Sequence, residues 1–480
     1  MQKIIIIDLI EVILRRALSH IQLINDSAKG RGNIFHSSSQ ATEKITIAQY
    51  RNVLCFDINK KGNMVFCFDK HHTRKNMKKV VVDVFLNIIA SALPVAMLQL
   101  ILYPKVARIV GGDEYGLMLT IYSIWIMISN SLGNVLNNIR LLYYPQYNKL
   151  NEQGDDTLLL WKWIPVSSVI VFVFIWTYCG SFSVIHVILG TLVSISILFK
   201  AYLEVGFRIK LEFWAILINN LLLSIGFLLG YYLFKVTNAW EMIFLIGYSF
   251  SCIFCILKTG LLAEKPNKTS INKKVTQDAY SLLVAAVIGC LVNYADKLVL
   301  YPLMGGTSVS IYYTATILGK ITGMLTGPIN SVILSYITRW DNSKIGIFTK
   351  VLFIGIGIVS VAYFVTVFCA RPILGLLFPQ WIDEVMNILP YTTITIMLTV
   401  LSSFLQPFIM KYCKLQWQIG ISSIGSASYF ICALVLWKII GLKGFCIGTI
   451  IGSLTKLMIS ILVYYYSIGR LKVLNNVEDK

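Results

Sequence analysis

Apolar segments recur along the chain from Met77 onward, each about as long as the 20 or so residues that an α-helix needs to cross a bilayer. Twelve are predicted, at residues 81–103, 115–138, 158–179, 182–203, 213–234, 240–260, 279–303, 309–337, 346–369, 386–409, 416–438 and 443–467. The longest polar interruption follows the sixth. We therefore predict an all-α integral membrane protein with about 12 transmembrane helices in two six-helix lobes around a central hydrated cavity. The N-terminal lobe spans 77–263, a cytoplasmic linker spans 264–278, and the C-terminal lobe and tail span 279–480.

Residues 1–76 have a different composition. They contain four of the five His, and their longest apolar run, residues 4–14, is interrupted by Asp8 and Glu11. That run is too short to span a bilayer, and no signal-peptide cleavage pattern follows it. We expect this segment to be an extension, either disordered or translated from a misread start. A small soluble domain is the alternative.

The overall composition excludes an ordinary soluble enzyme and a disordered chain. Hydrophobic residues make up 56% of the sequence and charged residues only 14%, against about one half and one quarter in soluble domains. The net charge is +19, but in a membrane protein such charge marks cytoplasmic loops rather than nucleic-acid binding. Loops after even-numbered helices, with the C-terminal tail, hold 18 Lys and Arg, and loops after odd-numbered helices hold six. Both termini are therefore expected in the cytoplasm.

A short internal repeat supports the division into two halves. LYPKVARIVGG at 102–112 and LYPLMGG at 300–306 each join the first two helices of a half. Such repeats are common in secondary transporters, in which the substrate site lies between the repeats.

Motifs for enzymatic, metal or cofactor chemistry are lacking in the sequence. There is no G-x-x-x-x-G-K-[ST] loop for ATP. Cys252 and Cys255 lie in an apolar helix without further ligands nearby, so we interpret both as small core residues. His186 is the only His after residue 76, which excludes a His-based site in the membrane part. We predict no catalytic residues, no metal and no cofactor.

Five of the predicted helices have polar residues at helical spacing. These are Asp83, Asn87, Ser91 and Pro94 in the first; Ser123, Asn130, Asn134 and Asn137 in the second; Gly289, Asn293, Asp296 and Lys297 in the seventh; Tyr312, Thr316, Lys320, Gly323, Gly327 and Asn330 in the eighth; and Thr392, Thr395, Thr399, Ser403 and Gln406 in the tenth. Helix packing alone explains the tenth. Charges at membrane depth cost at least about 2.5–3.5 kcal/mol each and face water or a partner, so we predict a hydrated cavity between the halves.

Lys320 is the most informative of these residues because it lies too far from either helix end to reach the interface. It either binds an anionic substrate group, titrates in ion coupling, or forms a structural salt bridge with Asp296. The cations Arg140, Lys200 and Arg208 lie near cytoplasmic helix ends, where they set topology or receive phosphate.

Four segments together resemble the polysaccharide flippase family of the multidrug/oligosaccharidyl-lipid/polysaccharide exporter superfamily. The matching residues are Pro104, Arg108, Gly111, Asp113, Glu114, Tyr115 and Gly116 within 103–124, and Asp296, Lys297, Gly306, Ile311, Tyr312 and Ala315 within 293–318. Residues 373–385 resemble the family's entry to helix 10, with Pro379 where Gly is usual, and residues 441–457 resemble the start of its last helix. The resemblance covers about residues 77–470.

The resemblance implies a flippase that moves undecaprenyl-pyrophosphate-linked oligosaccharide repeat units across the bacterial inner membrane for O-antigen, lipopolysaccharide or capsule biosynthesis, by ion-coupled alternating access. The implied partners are this lipid-linked substrate, the bilayer, a glycan polymerase and a chain-length regulator, and no nucleic acid. The candidate substrate-binding residues are Lys320, Lys297, Arg140, Asn134, Asn293 and Tyr312, and the candidate ion-coupling residues are Asp296 and Asp83.

Three other functions remain open from the sequence. A cation-coupled drug or metabolite exporter would share the fold, but such proteins usually need intramembrane carboxylates in the first half, where Asp83 and Glu204 are available. A membrane-embedded glycan polymerase or ligase would need a large external loop, whereas the outward loops here are short. A non-transporting scaffold would leave the polar helix faces unexplained.

Overall fold

The computed structural model describes residues 55–58, 64–67, 86–179, 184–324, 345–413 and 415–478. The chain forms two compact units, residues 1–88 and residues 89–480. In the first unit, strand β1 (Cys55–Ile58) pairs antiparallel with strand β2 (Met64–Cys67). The rest of the extension predicted at 1–76 lies outside the described residues, and that prediction stays open.

The described residues from 86 onward are mostly helical. One helical segment runs from Leu86 to Leu150. The helices are α1 (residues 86–96), α2 (Tyr103–Trp125), α3 (Ser131–Leu150), α4 (Asp155–Cys179), α5 (Val184–Leu203), α6 (Val205–Ile209), α7 (Phe213–Thr237), α8 (Glu241–Thr259), α9 (Asn272–Met324), α10 (Ile345–Leu377), α11 (Ile382–Tyr412), α12 (Leu415–Ile440) and α13 (Leu442–Glu478). Two π-helical segments, Met97–Leu102 and Ile126–Asn130, connect α1 to α2 and α2 to α3.

Most of these helices have the length and composition of membrane spans. Within the described residues, nine helical segments are long and apolar enough to cross a membrane, and one of them, Leu86–Leu150, has 65 residues. A helix of this length measures about 98 Å, more than three times the thickness of the hydrocarbon core of a bilayer. It is broken once, at Gly111. The 53-residue α9 is also broken once. The predicted all-α membrane fold is confirmed.

The two breaks have the same backbone conformation. Gly111 has φ 80° and ψ 179°, and Gly305 has φ 78° and ψ 177°. A positive φ of this kind is strained for residues that have a Cβ atom. Both glycines belong to the sequence repeat, which therefore marks equivalent turns in the two halves. We call the end of the bundle at Gly111 and Gly305 the glycine end, and the opposite end, at residues 264–278, the linker end.

Large apolar side chains cover the outside of the bundle. Phe368 is 85% exposed and Leu257 is 78% exposed. Apolar exposure of this extent over long helices is expected where lipid, rather than water, is the solvent.

Candidate functional site

A cavity of about 400 Å³ lies among helices of the first half of the chain. It is lined by Ser91, Pro94, Val95, Leu98, Gln99, Tyr103, Tyr122, Asn130, Asn134, Lys200, Ala201, Glu204, Arg208, Asn220, Leu223, Phe227, Tyr248 and Tyr313. Of these described residues, only Tyr313 comes from the second half. The predicted cavity is therefore present, but mainly among the first-half helices. We call it the first-half cavity.

The linker-end part of this cavity is charged. Lys200 Nζ lies 3.0 Å from Glu204 Oε2, one turn further along the chain. Arg208 follows after one more turn, and Asn134 and Asn220 add amide groups. Two cations and one carboxylate leave a net charge of +1.

The glycine-end part of the cavity is aromatic. The Tyr103 ring lies 6.1 Å from that of Tyr313 and 6.5 Å from that of Tyr122, both edge to face. The Tyr248 ring lies 5.7 Å from Phe227. Aromatic faces pack well against sugar rings and cations, and the phenol groups add hydrogen-bonding capacity.

A second cluster of charges meets the cavity wall at Tyr313. Lys320 Nζ lies 3.9 Å from Asp296 Oδ2, an ion pair too long for a hydrogen bond. The ammonium groups of Lys297 and Lys320 lie 5.3 Å and 5.4 Å from the centre of the Tyr313 ring. Lys297 is only 5% exposed and also lies over Tyr294, at 5.1 Å. This cluster, again with two cations and one carboxylate, also has a net charge of +1.

The two halves meet closely at the glycine end. Asp113 Oδ1 accepts hydrogen bonds from the Thr307 backbone N–H at 2.9 Å and from its hydroxyl at 2.7 Å. The Ser310 hydroxyl donates to the Gly112 carbonyl at 2.6 Å. A Cβ at Gly116 would overlap the backbone of Gly306, so the two helices touch backbone to backbone.

Aromatic packing extends this contact. Tyr115 of α2 stacks on Trp381 with ring centres 5.9 Å apart, and the Trp381 Nε1–H donates to Thr314 at 3.1 Å. Arg108 donates to the Leu376 carbonyl at 2.6 Å. Helices of the first half and of the second half are therefore joined at the glycine end.

Arg140 lies at the linker end and is not among the residues that line the cavity. It is 3% exposed and pairs with Asp156 at 2.9 Å and with Glu264 at 2.7 Å. Burial raises the pKa of Glu264, and the attraction of Arg140 offsets this only in part. Two carboxylates share one guanidinium, so the group has a net charge of −1.

Neighbouring contacts attach the linker to the same place. Asp155 accepts hydrogen bonds from Thr269 and from Asn272, the latter at 2.7 Å. The Ser270 N–H donates to Glu152 at 2.8 Å, and the Tyr143 hydroxyl donates to Asp278 at 2.5 Å. These hydrogen bonds, together with the Arg140–Glu264 ion pair, fix the linker and the start of α9 to the first half.

The predicted site residues fall into separate groups. Asn134 lines the cavity, and Lys297, Lys320 and Asp296 form the cluster beside it. Tyr312 is buried against Phe445, with ring centres 5.7 Å apart, and the adjacent Tyr313 faces the cavity instead.

Two predicted residues lie beyond what the structure describes. The backbone of Asn293 belongs to α9, but its side chain is outside the described set, and Asp83 precedes the first described helical residue.

Cys252 and Cys255 are free and buried. Within the described part of the chain, no group of three His, Cys, Asp or Glu could hold a metal ion.

Sequence reasoning missed the tyrosines of the cavity. Tyr103, Tyr122 and Tyr248 lie inside apolar segments, where an aromatic residue looks like part of the membrane-facing surface. The sequence suggests a role in topology or phosphate binding for Lys200 and Arg208, and both line the cavity together with Glu204. Their spacing of four residues, which places them on one helix face, is the signal that could have grouped them.

Comparison with solved structures identifies membrane transporters of the same fold. Lipid II flippase MurJ in an inward closed conformation matches with a TM-score of 0.57 and 12% identity, over 83% of this chain and 91% of that chain. The Vibrio cholerae MATE transporter VcmN in its bent form matches with a TM-score of 0.52 and 12% identity, over 82% of this chain and 97% of that chain. A multidrug resistance MATE family transporter of the MOP superfamily, in an outward-facing conformation, matches with a TM-score of 0.55 and 11% identity, over 82% of this chain and 96% of that chain.

At these identities the likeness establishes the fold alone. The predicted helical membrane architecture is thus shared with these solved structures. No family model matches the sequence. No curated protein matches it either. The polysaccharide flippase family therefore stays a prediction.

Proposed function

We propose that the protein is a flippase that moves undecaprenyl-pyrophosphate-linked oligosaccharide repeat units across the bacterial inner membrane, for O-antigen or capsule biosynthesis. The observation that carries this proposal is the excess of cations at membrane depth. The ammonium groups of Lys297 and Lys320 both lie near the ring of Tyr313, a wall residue of the 400 Å³ cavity, and the one carboxylate of the cluster, Asp296, lies 3.9 Å from Lys320. Buried cations at membrane depth usually face water, a partner or an anionic substrate group.

Each part of the substrate has matching chemistry in this arrangement. The pyrophosphate is attracted by Lys320 and Lys297, since charge-assisted hydrogen bonds to phosphate are among the strong ones. The sugars lie against the tyrosines and the amides of Asn134 and Asn220. The polyprenyl tail stays in the lipid around the bundle.

Transport proceeds by alternating access between the two halves. The excess of Lys and Arg in the linker-end loops assigns this end to the cytoplasm, with both termini on that side. The charged part of the cavity then faces the cytoplasm, and the Asp113–Thr307 contact closes the outer side. Opening outward requires that this contact separate. Asp296, or Asp83, exchanges a proton or Na⁺ during the cycle.

A cation-coupled exporter on the same fold is the second candidate, and the solved MATE structures favour it as much as they favour a flippase. The charges of the cavity argue against it. Glu204, the only carboxylate among the described lining residues, is paired with Lys200. An organic cation entering this cavity therefore meets a net positive charge.

Lipid analysis of a deletion strain distinguishes the candidates. A flippase defect leaves completed single repeat units on the cytoplasmic leaflet. Units that reach the outer leaflet but stay unpolymerised indicate loss of the polymerase instead. A normal glycan profile together with a loss of drug resistance contradicts our proposal and supports the exporter.

The role of Lys320 is tested by complementing that strain. We expect Lys320→Met to lower delivery of surface polymer by roughly 100-fold, because a charged hydrogen bond to phosphate contributes about 1.5–3 kcal/mol and each 1.4 kcal/mol is tenfold. Lys443→Met, at an exposed position of α13, is the matched control and should behave as wild type. Full activity of Lys320→Met at wild-type protein levels would refute the role.

A further inference from the structure

The second half of the chain contains its own polar cavity, of about 60 Å³, between α11, α12 and α13. Eight of the ten described lining residues are polar, and Lys456 is the one ionisable group among them. A cavity of this size has room for several water molecules or for one small ion. We call it the second-half cavity.

Lys456 lies in the middle of a membrane span. The span runs from Leu442 to Ile468, so Lys456 is 14 residues from one end and 12 from the other. At 1.5 Å per residue, each end is about 18 Å away or more, beyond the reach of a lysine side chain. Its ammonium group is therefore confined to the cavity.

No counter-charge for Lys456 is found in the described part of the chain. Its ammonium group has no ion pair or hydrogen bond with a described residue, and no Asp or Glu is among the described residues that line the cavity. By contrast, Lys200 and Lys320 each have a carboxylate within 4 Å. A charged group at membrane depth is unfavourable unless a partner or water compensates it.

The side chains around Lys456 offer further donors. The Gln418 side-chain Nε2 is buried and has no hydrogen-bond partner among the described residues. The hydroxyls of Thr399, Ser403 and Ser460 already donate to backbone carbonyls of their own helices. An ammonium group and an amide N–H₂ are thus among the donors in the lining that make no hydrogen bond within the described part of the chain, and both types of donor bind anions.

The helix packing makes room for the lysine. Gly425 of α12 lies beside the Lys456 stem, and a Cβ at this glycine would be 2.8 Å from the Cβ of Lys456. A larger residue at 425 would therefore displace the lysine from its present position.

We infer that the second-half cavity is a binding site for a small inorganic anion, held by Lys456 and Gln418. This site is separate from the first-half cavity and does not depend on what that cavity transports. Chloride and inorganic phosphate both suit this donor set, and gluconate, a bulkier organic anion, serves as the reference.

Binding of radiolabelled chloride and of radiolabelled phosphate to the full chain, purified in an uncharged detergent with gluconate as the background anion, tests the inference. We expect saturable binding of one or both anions. Lys456→Met should remove one binding site per chain or weaken it at least tenfold, since the charged donor is lost. Lys456→Arg should retain the site. Lys443→Met and Lys320→Met should also retain it, and the latter separates this site from the proposed substrate cluster.

Thermal unfolding gives an independent readout that does not require the variant to bind anything. In gluconate alone, Lys456→Met should be more heat-stable than wild type, by about 2 °C or more, because an uncompensated buried charge is replaced by an apolar side chain of similar length. Added chloride or phosphate should raise the unfolding temperature of wild type and so reduce the difference in unfolding temperature between wild type and Lys456→Met. The inference is overturned if wild type shows no saturable binding of either anion, or if Lys456→Met binds as wild type does.

Discussion

The first-half and second-half cavities differ in both size and charge balance. The first-half cavity has about 400 Å³, and one of its two described lining cations, Lys200, is paired with Glu204 at 3.0 Å. The second-half cavity has about 60 Å³ and a single lysine with no carboxylate in its described lining. The lining of the larger cavity includes Tyr313 of the other half, whereas the described lining of the smaller comes from second-half helices alone. We infer that relative motion of the halves reshapes the first cavity more than the second.

The halves also differ in how their ion pairs are placed. Arg140 of the first half is buried and holds two carboxylates. In the second half, Arg371 contacts Asp383 at 3.5 Å with side chains 72% and 82% exposed. Buried and exposed pairs have very different consequences when one partner is removed.

The largest expected effect is therefore on stability. Arg140→Met should lower the free energy of unfolding by roughly 3–5 kcal/mol, because it leaves Asp156 and Glu264 buried without their counter-charge. Arg371→Met should change it by less than about 1 kcal/mol. Unfolding of the purified variants in detergent, followed by circular dichroism, measures both. Equal effects of the two substitutions would show that the Arg140 group does not fix the linker.

A smaller effect is expected at the contact between the halves. Gly116→Ala places a Cβ against the Gly306 backbone. Overpacking of this kind costs about 1–3 kcal/mol, which corresponds to a roughly 5- to 150-fold change in the population of the closed glycine end. Gly357→Ala, whose Cβ would meet nothing within 4 Å, is the control.

Spin labels at Ile109 and Leu376, both exposed at the glycine end, report this population by their distance distribution. We expect a longer-distance component in Gly116→Ala and a wild-type distribution in Gly357→Ala. An unchanged distribution in Gly116→Ala would mean that this crossing does not limit closure.

Much of the fold could be predicted from hydropathy, because crossing a bilayer imposes length and apolarity on every span. Nine described helical segments are long and apolar enough to span a membrane, and the two broken helices, Leu86–Leu150 and α9, each overlap two predicted segments. The repeat located the glycine breaks. The site was harder to predict. Tyr312 and Tyr313 are adjacent and differ by about 100° around the helix axis, so their roles depend on how α9 packs, which periodicity does not reveal.

Arg140 illustrates the second limit of sequence reasoning. A cation near a helix end is typical of topology signals, and this residue also matched a phosphate-binding role. Its partners Asp156 and Glu264 lie 16 and 124 residues further along the chain. Only the tertiary structure brings them together, and the pairing gives Arg140 a structural position at the linker end.

The smallest expected effect concerns Tyr313, the residue that joins the first-half cavity to the Lys297–Lys320 cluster. Tyr313→Ala should lower transport by about tenfold, since it removes a ring that contacts two ammonium groups, each cation–π contact contributing about 0.5–2 kcal/mol. Tyr313→Phe retains the ring and should stay within about threefold of wild type on the same scale. Tyr312→Phe, at the neighbouring position outside the cavity, is the matched control. Surface polymer in the complemented deletion strain, normalised to protein level, gives the comparison. If Tyr313→Phe were as impaired as Tyr313→Ala, the phenol hydroxyl rather than the ring would be the essential group. The cation–π contacts of Lys297 and Lys320 with the ring would then not contribute to transport.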